Sequence, residues 1–484
     1  MKDHKILFNT ISLIGTRLVG IVLGMATQAV LARGLGVERF GSFTYCFAFL
    51  SVFSVAASLG LDTLLIREIT RMPQRASDLI GSAMTLKAVA SVAALLLALT
   101  GMALLPANSA RTLSASLLIF MIFPNVLQTA RSYFDACLRS HRLLSLELLI
   151  RSLTLLLVGL VLRSGGELIA CILVFLVMEY ANATFVLGMF TKDSKLQPTM
   201  DFDTALDLLS KTWPLALQCL CYVVYFRIDM LMLEYYRGIK EVGYYSPAYA
   251  IMAGLVFVPD ALSRSLFPRL TTEVLQNGTP SVDFLLRLFK YFSMVAVPIV
   301  IAGSMLAEPI VVLLFGPAFT PAAAPLSCLF WGLGAIFFSY PMNLLLLAQE
   351  RQYLNLRITV VMTIFNIGMN LIAIPRWGMM GAAITTVFTE GIGCLATTVA
   401  GLWFSGEANR ASFNKLWLVR LAQLAAAGTL MAGIIYMSST LPWLLNGIAG
   451  TAGFFLTLLL LGWFTREERT SFIKLLSGLS QNRW

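Results

Sequence analysis

Four basic residues lie inside apolar stretches that are long enough to cross a lipid bilayer: Arg17, Lys87, Arg151 and Arg227. A cation at the bilayer centre costs roughly 2.5–3.5 kcal/mol on insertion scales, so a partner must offset that cost. An anionic ligand inside a water-filled cavity is the simplest partner, because arginine binds phosphate oxygens bidentately. We therefore take all four residues as candidate substrate-binding cations.

Each cation also has a structural explanation. Arg17 and Lys87 have no acidic residue three or four positions away, and their long side chains could instead extend to the membrane surface. Glu147 precedes Arg151 by four residues, which places both on one helical face and favours an ion pair. For Arg151 the functional and the structural interpretation both stay open.

Four carboxylates within or beside the apolar stretches are candidates for ion coupling: Glu179, Asp229, Asp260 and Glu390. A membrane carboxylate can take up a proton and lose its charge, which suits this role. The alternative is that each only accepts a hydrogen bond from a neighbouring helix. Asp229 follows Arg227 by two positions, so the two side chains point in different directions and cannot simply neutralise each other.

The composition indicates the elements that hold these residues. Of 484 residues, 58% are hydrophobic and only 12% are charged, and the mean hydropathy is +0.81. Apolar runs of about 20 residues match a helix crossing ~30 Å of hydrocarbon. We predict an all-α membrane protein with about fourteen transmembrane helices, approximately at 9–32, 40–65, 79–105, 113–132, 145–163, 168–190, 212–235, 243–267, 288–312, 323–348, 354–374, 378–404, 415–437 and 441–464. No loop exceeds about 20 residues, so we expect no soluble catalytic domain.

The distribution of basic residues predicts the orientation. With the N-terminus inside, about 24 of the 35 Lys and Arg residues fall on the cytoplasmic side, as the positive-inside rule requires. We therefore expect a multi-pass protein with both termini in the cytoplasm. The first apolar run is too long for a signal peptide and should be a retained helix. The net charge of +10 is mostly an orientation signal, and no nucleic-acid partner is expected.

Cysteine and histidine argue against metal and cofactor chemistry. The seven cysteines have no C-x-x-C spacing and lie in or beside apolar helices, where small core residues are expected. The only histidines, His4 and His141, fall at predicted cytoplasmic ends. We expect no metal site, no cofactor and no histidine base.

An internal repeat predicts how the helices are organised. The octad GVERFGSF at 36–43 resembles GIKEVGYY at 238–245, and both glycines recur at an offset of 202. Glycine permits a tight reversal after one span, and charged residues keep the turn at the aqueous boundary. Similar turns are common in membrane proteins, which is the alternative explanation. A weaker similarity places Arg142 against Arg351 and Glu179 against Glu390, at offsets of 209 and 211.

Because an even number of helices separates the octads, the two halves should share one orientation and enclose a central cavity near the midplane. The predicted organisation has four parts: an N-terminal six-helix bundle (1–195), a cytoplasmic linker (196–211), a parallel-related C-terminal six-helix bundle (212–404), and two additional helices with a cytoplasmic tail (405–484).

Four stretches resemble a known family. They are LARGLGVERFGSFTYCFAFLSVFSVAASLGLDTLLIR (31–67), YFRIDMLMLEYYRGIKEVGYYSPAYAI (225–251), LLFGPAFTPAAAPL (313–326) and NIGMNLIAIPRWGMMGAAITTVFTE (366–390). Together they are similar to the O-antigen and exopolysaccharide flippases. These form a branch of the multidrug/oligosaccharidyl-lipid/polysaccharide exporter superfamily. Each motif is modest, but the stretches cover both halves of the chain.

The resemblance implies a function that composition alone does not. Such flippases move polyprenyl-diphosphate-linked oligosaccharides across the bacterial cytoplasmic (inner) membrane by alternating access, coupled to an ion gradient that is usually of protons. For this chain the expected coupling ion is H+ or Na+. Arg17 matches a basic residue often present in the first helix, and Arg227-Ile228-Asp229 matches an R-x-D signature. Lys87 and Arg151 are not carried over. Membrane lipids and a polysaccharide polymerase or chain-length complex are the expected partners, and no covalent reaction is implied.

Three alternatives stay open. A multidrug/cation antiporter of the same superfamily is disfavoured, because dispersed arginine and lysine residues suit an anionic passenger. A peptidoglycan lipid precursor flippase would have a similar architecture. A membrane-embedded polysaccharide polymerase or ligase would need sizeable outer loops, and the longest here, around 313–322, is only about ten residues.

Overall fold

The computed structural model describes residues 2–103, 120–137, 139, 141–194, 197–405, 407–464 and 468. Within these ranges all regular structure is helical. The α-helices are α1 (Lys2–Ser58), α2 (Leu61–Arg71), α3 (Ala76–Ala103), α4 (Pro124–Gln128), α5 (Arg131–Ala136), α6 (His141–Arg163), α7 (Leu168–Ser194), α8 (Phe202–Arg237), α9 (Ile239–Leu255), α10 (Phe257–Asn277), α11 (Val282–Met305), α12 (Ala307–Phe315), α13 (Ala323–Ala348), α14 (Gln352–Phe404), α15 (Glu407–Met437) and α16 (Trp443–Leu460). Short 3-10 turns lie at Pro73–Arg75, Phe120–Ile122 and Pro317–Ala322.

Eleven helical stretches of the described residues are long and apolar enough to cross a membrane. Two of them, Arg17–Arg71 and Gln352–Phe404, have 55 and 53 residues. At 1.5 Å per residue each is roughly 80 Å long, so each contains more than one crossing of a ~30 Å hydrocarbon layer. The all-α membrane fold is therefore confirmed. The count of fourteen stays a prediction, because the predicted spans 79–105 and 113–132 lie partly outside the described residues.

The first glycines of the two octads have the same backbone conformation. Gly36 breaks α1 with φ 71° and ψ 175°, and Gly238 separates α8 from α9 with φ 89° and ψ 170°. A side chain would clash in this region of φ and ψ, so glycine is required at both positions. The sequence repeat is thus also a repeat of backbone geometry.

The second glycines of the octads pack against each other. A Cβ atom on Gly41 would lie 2.8 Å from the backbone N of Gly243, and one on Gly243 would overlap the carbonyl oxygen of Val37. In the reciprocal contact, the Gly41 Cβ would overlap the carbonyl oxygen of Ile239. The contact is symmetric in sequence, since Val37 and Ile239 follow the first glycine of their octads.

Contacts divide the chain into two compact units, each with its own apolar core. The first comprises 1–257, 311–325 and 356–389, and the second comprises 258–310, 326–355 and 390–484. The core of the first unit includes Leu65, Ile80 and Phe134, all without solvent exposure. This division differs from the bundle boundaries predicted from the sequence, which stay a prediction.

The predicted linker 196–211 is only partly irregular. Thr199 donates its hydroxyl to Asp78 at 2.6 Å, and Ser82 donates to the carbonyl of Asp201 at 2.9 Å. From Phe202 the chain forms the first turns of α8, with Asp201 as the N-cap that accepts from the backbone N–H of Thr204 at 3.1 Å. The hydroxyl and backbone hydrogen bonds from Thr204 lower the pKa of Asp201. The linker is therefore fixed to the start of α3.

Candidate anion-binding site

Arg227 is a half-buried cation on α8. Its guanidinium carbon lies 5.5 Å from the ring centroid of Tyr249 on α9, a cation–π arrangement. Among the described residues, no carboxylate forms an ion pair with Arg227. The ring attracts the cation but carries no negative charge, so the guanidinium can still bind an anion.

Asp229 is a buried carboxylate with hydrogen-bond partners of its own. It is only 3% exposed and accepts hydrogen bonds from the Tyr245 hydroxyl at 2.7 Å and from the backbone N–H of Met230 at 2.8 Å. The rings of Tyr245 and Tyr249 are 6.1 Å apart. Two neighbouring tyrosines of α9 therefore hold a cation and a carboxylate of α8 side by side.

A buried polar cluster lies on α14. Asn370 donates its amide to Asn366 at 3.0 Å, and Asn366 donates to the Thr389 hydroxyl at 3.3 Å. The Asn370 Oδ1 and Thr385 Oγ1 atoms are buried and have no hydrogen-bond partner within the described part of the chain. Such orphaned oxygens are costly unless a ligand, ion or water satisfies them. The only sequence signal for this cluster is a few amides in an apolar run.

Two contacts align α14 with α8 and place this cluster near the buried carboxylate. Thr363 donates to the carbonyl of Cys221 at 3.5 Å, midway along α8. Farther along both helices, the backbone N–H of Met379 donates to Glu241, just beyond the end of α8, at 2.7 Å. The two helices therefore run in the same direction. Asn370, about two turns beyond Thr363, lies near the level of Asp229.

Arg151 forms the ion pair with Glu147 that the spacing predicts, at 3.1 Å. Glu147 also accepts from Arg131 of α5 at 2.9 Å, which the sequence analysis missed. The only signal for Arg131 is a basic residue at the edge of a predicted span. Arg151 further donates to the carbonyl of Gly20 on α1 at 3.4 Å, which brings α1 and α6 together.

Arg17 lies on the face of α1 that contacts Arg151. A Cβ atom on Gly20 would be 3.4 Å from the Arg151 Nε, and one on Gly24 would be 3.8 Å from its Nη1. Arg17 precedes Gly20 by three residues, so it is on the same side of the helix. It is exposed and has contacts of its own with neighbours. The first unit thus brings two of the four predicted cations to one helix pair.

Lys87 has a carboxylate partner. It is 2% exposed, and its Nζ lies 2.6 Å from the Oδ1 of Asp62, which is 53% exposed. Asp62 follows a helix break at Leu59 and Gly60, both with positive φ of 53° and 64°. Asp62 is not among the predicted site residues, although a carboxylate just after a glycine within span 40–65 is a usable signal. A substrate-binding role for Lys87 stays a prediction.

The other predicted carboxylates have partners of their own. Glu179 of α7 accepts from the side-chain amide of Gln128 at 2.5 Å. Asp260 and Arg264, both on α10, form an ion pair at 3.0 Å. Glu390 is half-buried on α14 and interacts with its neighbours. Within the described residues, no three His, Cys, Asp or Glu side chains are grouped to hold a metal ion.

Two protein families match the sequence, each over more than half of the chain. Residues 6–272 match the family described as polysaccharide biosynthesis protein. Residues 163–448 match the family described as lipid II flippase MurJ. The two matches overlap and together cover nearly all predicted helices.

Two curated relatives match over shorter regions. An uncharacterized membrane protein of Methanocaldococcus jannaschii is 26% identical over 203 residues, which are 40% of this chain and 38% of the relative. The probable flippase AglR of Haloferax volcanii is 28% identical over 174 residues, 35% of this chain and 36% of that protein. The chain thus spans well under half the length of each of these relatives.

Solved structures share the fold at low identity. A lipid II flippase MurJ in an inward closed conformation has a TM-score of 0.73 at 13% identity, covering 93% of this chain and 98% of that chain. An inward-facing multidrug resistance MATE family transporter has a TM-score of 0.62 at 15% identity, covering 84% and 99%. A MOP superfamily transporter from Pyrococcus furiosus has a TM-score of 0.59 at 14% identity, covering 81% of this chain and 94% of that chain.

These matches confirm the resemblance drawn from the sequence. The chain belongs to the polysaccharide biosynthesis protein family, and it also matches the family described as lipid II flippase MurJ.

Proposed function

We propose that this protein moves a polyprenyl-diphosphate-linked oligosaccharide, an O-antigen or exopolysaccharide repeat unit, across a bacterial cytoplasmic membrane. The lipid tail stays in the bilayer while the charged head passes through the protein by alternating access. Both chain termini face the cytoplasm. The protein catalyses no covalent reaction, and a polysaccharide polymerase or chain-length complex receives the product.

The proposal depends on the surroundings of Arg227. A half-buried guanidinium within a membrane helix, with a tyrosine ring but no carboxylate partner among the described residues, is suited to bind an anion. A diphosphate supplies several acceptor oxygens that arginine can bind bidentately. Arg17 and Arg151 add positive charge elsewhere in the same compact unit.

Complementation of a strain that lacks its own O-antigen flippase tests the proposal. Arg227→Ala should abolish complementation while membrane abundance stays unchanged, and Arg227→Lys should retain part of it because the charge remains. Arg237→Ala is the matched control, since it removes an arginine from the same helix that is paired with Glu241 at 3.3 Å. Arg17→Ala should also abolish complementation. Full activity of Arg227→Ala would remove that residue from the mechanism.

The match to the lipid II flippase MurJ family favours a second candidate substrate, the peptidoglycan lipid precursor. Both substrates carry a polyprenyl diphosphate, so the arginine chemistry serves either one. Rescue of a strain depleted of its lipid II flippase, without rescue of O-antigen export, would support the second candidate.

We further propose that Asp229 couples transport to an ion gradient. Its buried carboxylate lies near the level of the orphaned Asn370 and Thr385 oxygens, and hard cations prefer such oxygen ligands. Proton uptake by Asp229 is the alternative. If Na+ is the coupling ion, Na+ should raise the thermal stability of the purified protein, and Asp229→Asn should abolish this effect. If the stability does not depend on Na+, coupling to H+ is favoured.

A further inference from the structure

A second group of arginines lies on different helices from Arg227. Glu147 of α6 accepts from Arg131 through Oε2 at 2.9 Å and from Arg151 through Oε1 at 3.1 Å. Arg131 and Arg151 are 41% and 46% exposed, whereas Glu147 is 23% exposed. One carboxylate therefore holds two accessible guanidinium groups side by side, and the three residues have a net charge of +1.

Among the described residues, neither guanidinium group uses all of its donors, so both keep donors for a ligand. Each has five N–H donors in a planar fork. Arg131 uses Nη2 for Glu147, and Arg151 uses Nη2 for Glu147 and Nη1 for the carbonyl of Gly20. Because these contacts fix the direction of both forks before a ligand arrives, little side-chain entropy remains to be lost on binding.

Helix α1 provides the space beside Arg151. A Cβ atom on Gly20 would be 3.4 Å from the Arg151 Nε, and one on Gly24 would be 3.8 Å from Nη1. Larger side chains at these positions would meet the guanidinium directly. The two glycines therefore let the arginine lie along α1.

The position of this group suggests where it acts. At 1.5 Å per residue, Glu147 and Arg151 lie roughly 9 and 15 Å from the start of α6, the end predicted to be cytoplasmic. Arg131 lies on the short helix α5 just before it. An anion that enters from that end would meet these arginines near the membrane boundary.

We propose that Arg131 and Arg151, held in position by Glu147, form a two-pronged clamp for a diphosphate, a loading site separate from Arg227. This inference rests on the proposed function and names a second site for the same substrate. Glu147 occupies the space between the arginines and repels an anion placed there. Two linked phosphoryl groups can each bind the outward donors of one guanidinium, whereas one phosphate cannot reach both without approaching Glu147. The clamp should therefore prefer a diphosphate to a monophosphate.

Native mass spectrometry of the purified full-length protein tests this preference, with undecaprenyl diphosphate and undecaprenyl monophosphate as probes. The wild type should bind the diphosphate more tightly. Arg131→Ala and Arg151→Ala should each weaken diphosphate binding by about tenfold, the effect of losing charge-assisted hydrogen bonds, and should change monophosphate binding much less. Glu147→Gln should lower the preference for the diphosphate, because the space between the arginines no longer repels a single phosphate.

Two kinds of control separate positioning from folding. Arg142→Ala removes an arginine of the same helix that is paired with Asp193, and it should leave the preference unchanged. Arg131→Lys and Arg151→Lys keep the charge but lose the fork, so they should fold and still lose part of the preference. Equal thermal stability of the lysine variants and the wild type would show that the structure is retained.

The possible outcomes separate this inference from the proposed function. If Arg131→Ala and Arg151→Ala bind the diphosphate as the wild type does, or weaken both lipids equally, the clamp is overturned. If only Arg227→Ala loses diphosphate binding, the proposed function stands without the clamp. If the wild type binds neither lipid, the proposed function itself fails.

Discussion

The two glycine octads, 36–43 and 238–245, share a backbone conformation but differ in the order of their charged residues. Each begins with a glycine of positive φ, and the second glycines pack against each other. At the fourth position, however, one octad has Arg39 and the other has Glu241. Arg39 pairs with Glu167 at 3.1 Å, whereas Glu241 accepts from the backbone N–H of Met379 at 2.7 Å.

The partners of these residues are also related by the repeat. Glu167 directly precedes α7, and Met379 directly follows the break at Gly378 within α14. The contact is thus kept in both halves, although the charge at the fourth octad position is reversed. The chemistry of the two contacts differs as well. Arg39 and Glu167 form an exposed ion pair, whereas the Glu241 carboxylate caps the helical segment that begins after Gly378.

At a second pair of related positions the contact is again kept, but the type of partner changes. Arg142 forms an ion pair with Asp193 in the first half, whereas Arg351 lies 3.6 Å from the ring centroid of Phe404 in the second. The offsets between corresponding members are similar to those between Glu167 and Met379. The repeat therefore preserves the positions at which helices contact each other, whereas the chemistry of each contact differs between the halves.

The largest loss of stability is expected at a second charge reversal, at Asp62 and Arg264, which are 202 positions apart. Asp62→Asn leaves the buried Lys87 ammonium without a counter-charge, and breaking such a pair costs about 3–5 kcal/mol. Arg264→Gln removes only an exposed pair with Asp260 on the same helix, worth about 0.3–0.5 kcal/mol. Thermal unfolding of the purified variants should show this difference.

The double variant Asp62→Asn/Lys87→Met is the control for the buried charge. It removes both members of the pair and should recover most of the stability lost in Asp62→Asn, because no charge is then buried alone. Equal losses in Asp62→Asn and Arg264→Gln would contradict the assignment of Lys87 as a buried, singly compensated cation.

The sequence predicted contacts within a helix much better than contacts between helices. The Glu147–Arg151 pair follows from a four-residue spacing, and the glycine breaks follow from the repeated octads. Arg131 and Asp62 were missed because their partners lie on other helices. Helical periodicity shows which face a residue occupies, but the neighbour on that face depends on how the helices pack.

The close contact between Gly41 and Gly243 should not tolerate an added methyl group. Gly41→Ala and Gly243→Ala should each cost about 1–3 kcal/mol, since the added Cβ overlaps backbone atoms that cannot rotate away. Gly188→Ala on α7 is the matched control, because no atom lies within 4 Å of its added Cβ. Abundance and thermal unfolding of the three variants measure the effect. Comparable stability of Gly41→Ala and Gly188→Ala would mean that the octads do not pack closely in solution.

The smallest predicted difference concerns the fourth position of the octads. Glu241→Ala removes the acceptor of the Met379 N–H and should cost about 1.5 kcal/mol, the lower end of the range for a hydrogen bond to a charged group, because the Glu241 side chain is 27% exposed. Arg39→Ala breaks a pair whose members are 57% and 70% exposed, and it should cost well under 1 kcal/mol. Unfolding at low and high salt separates the two contacts: salt should screen the exposed Arg39–Glu167 pair much more than the half-buried Glu241 contact. A larger loss in Arg39→Ala than in Glu241→Ala would show that the exposed pair, and not the cap, stabilises this turn.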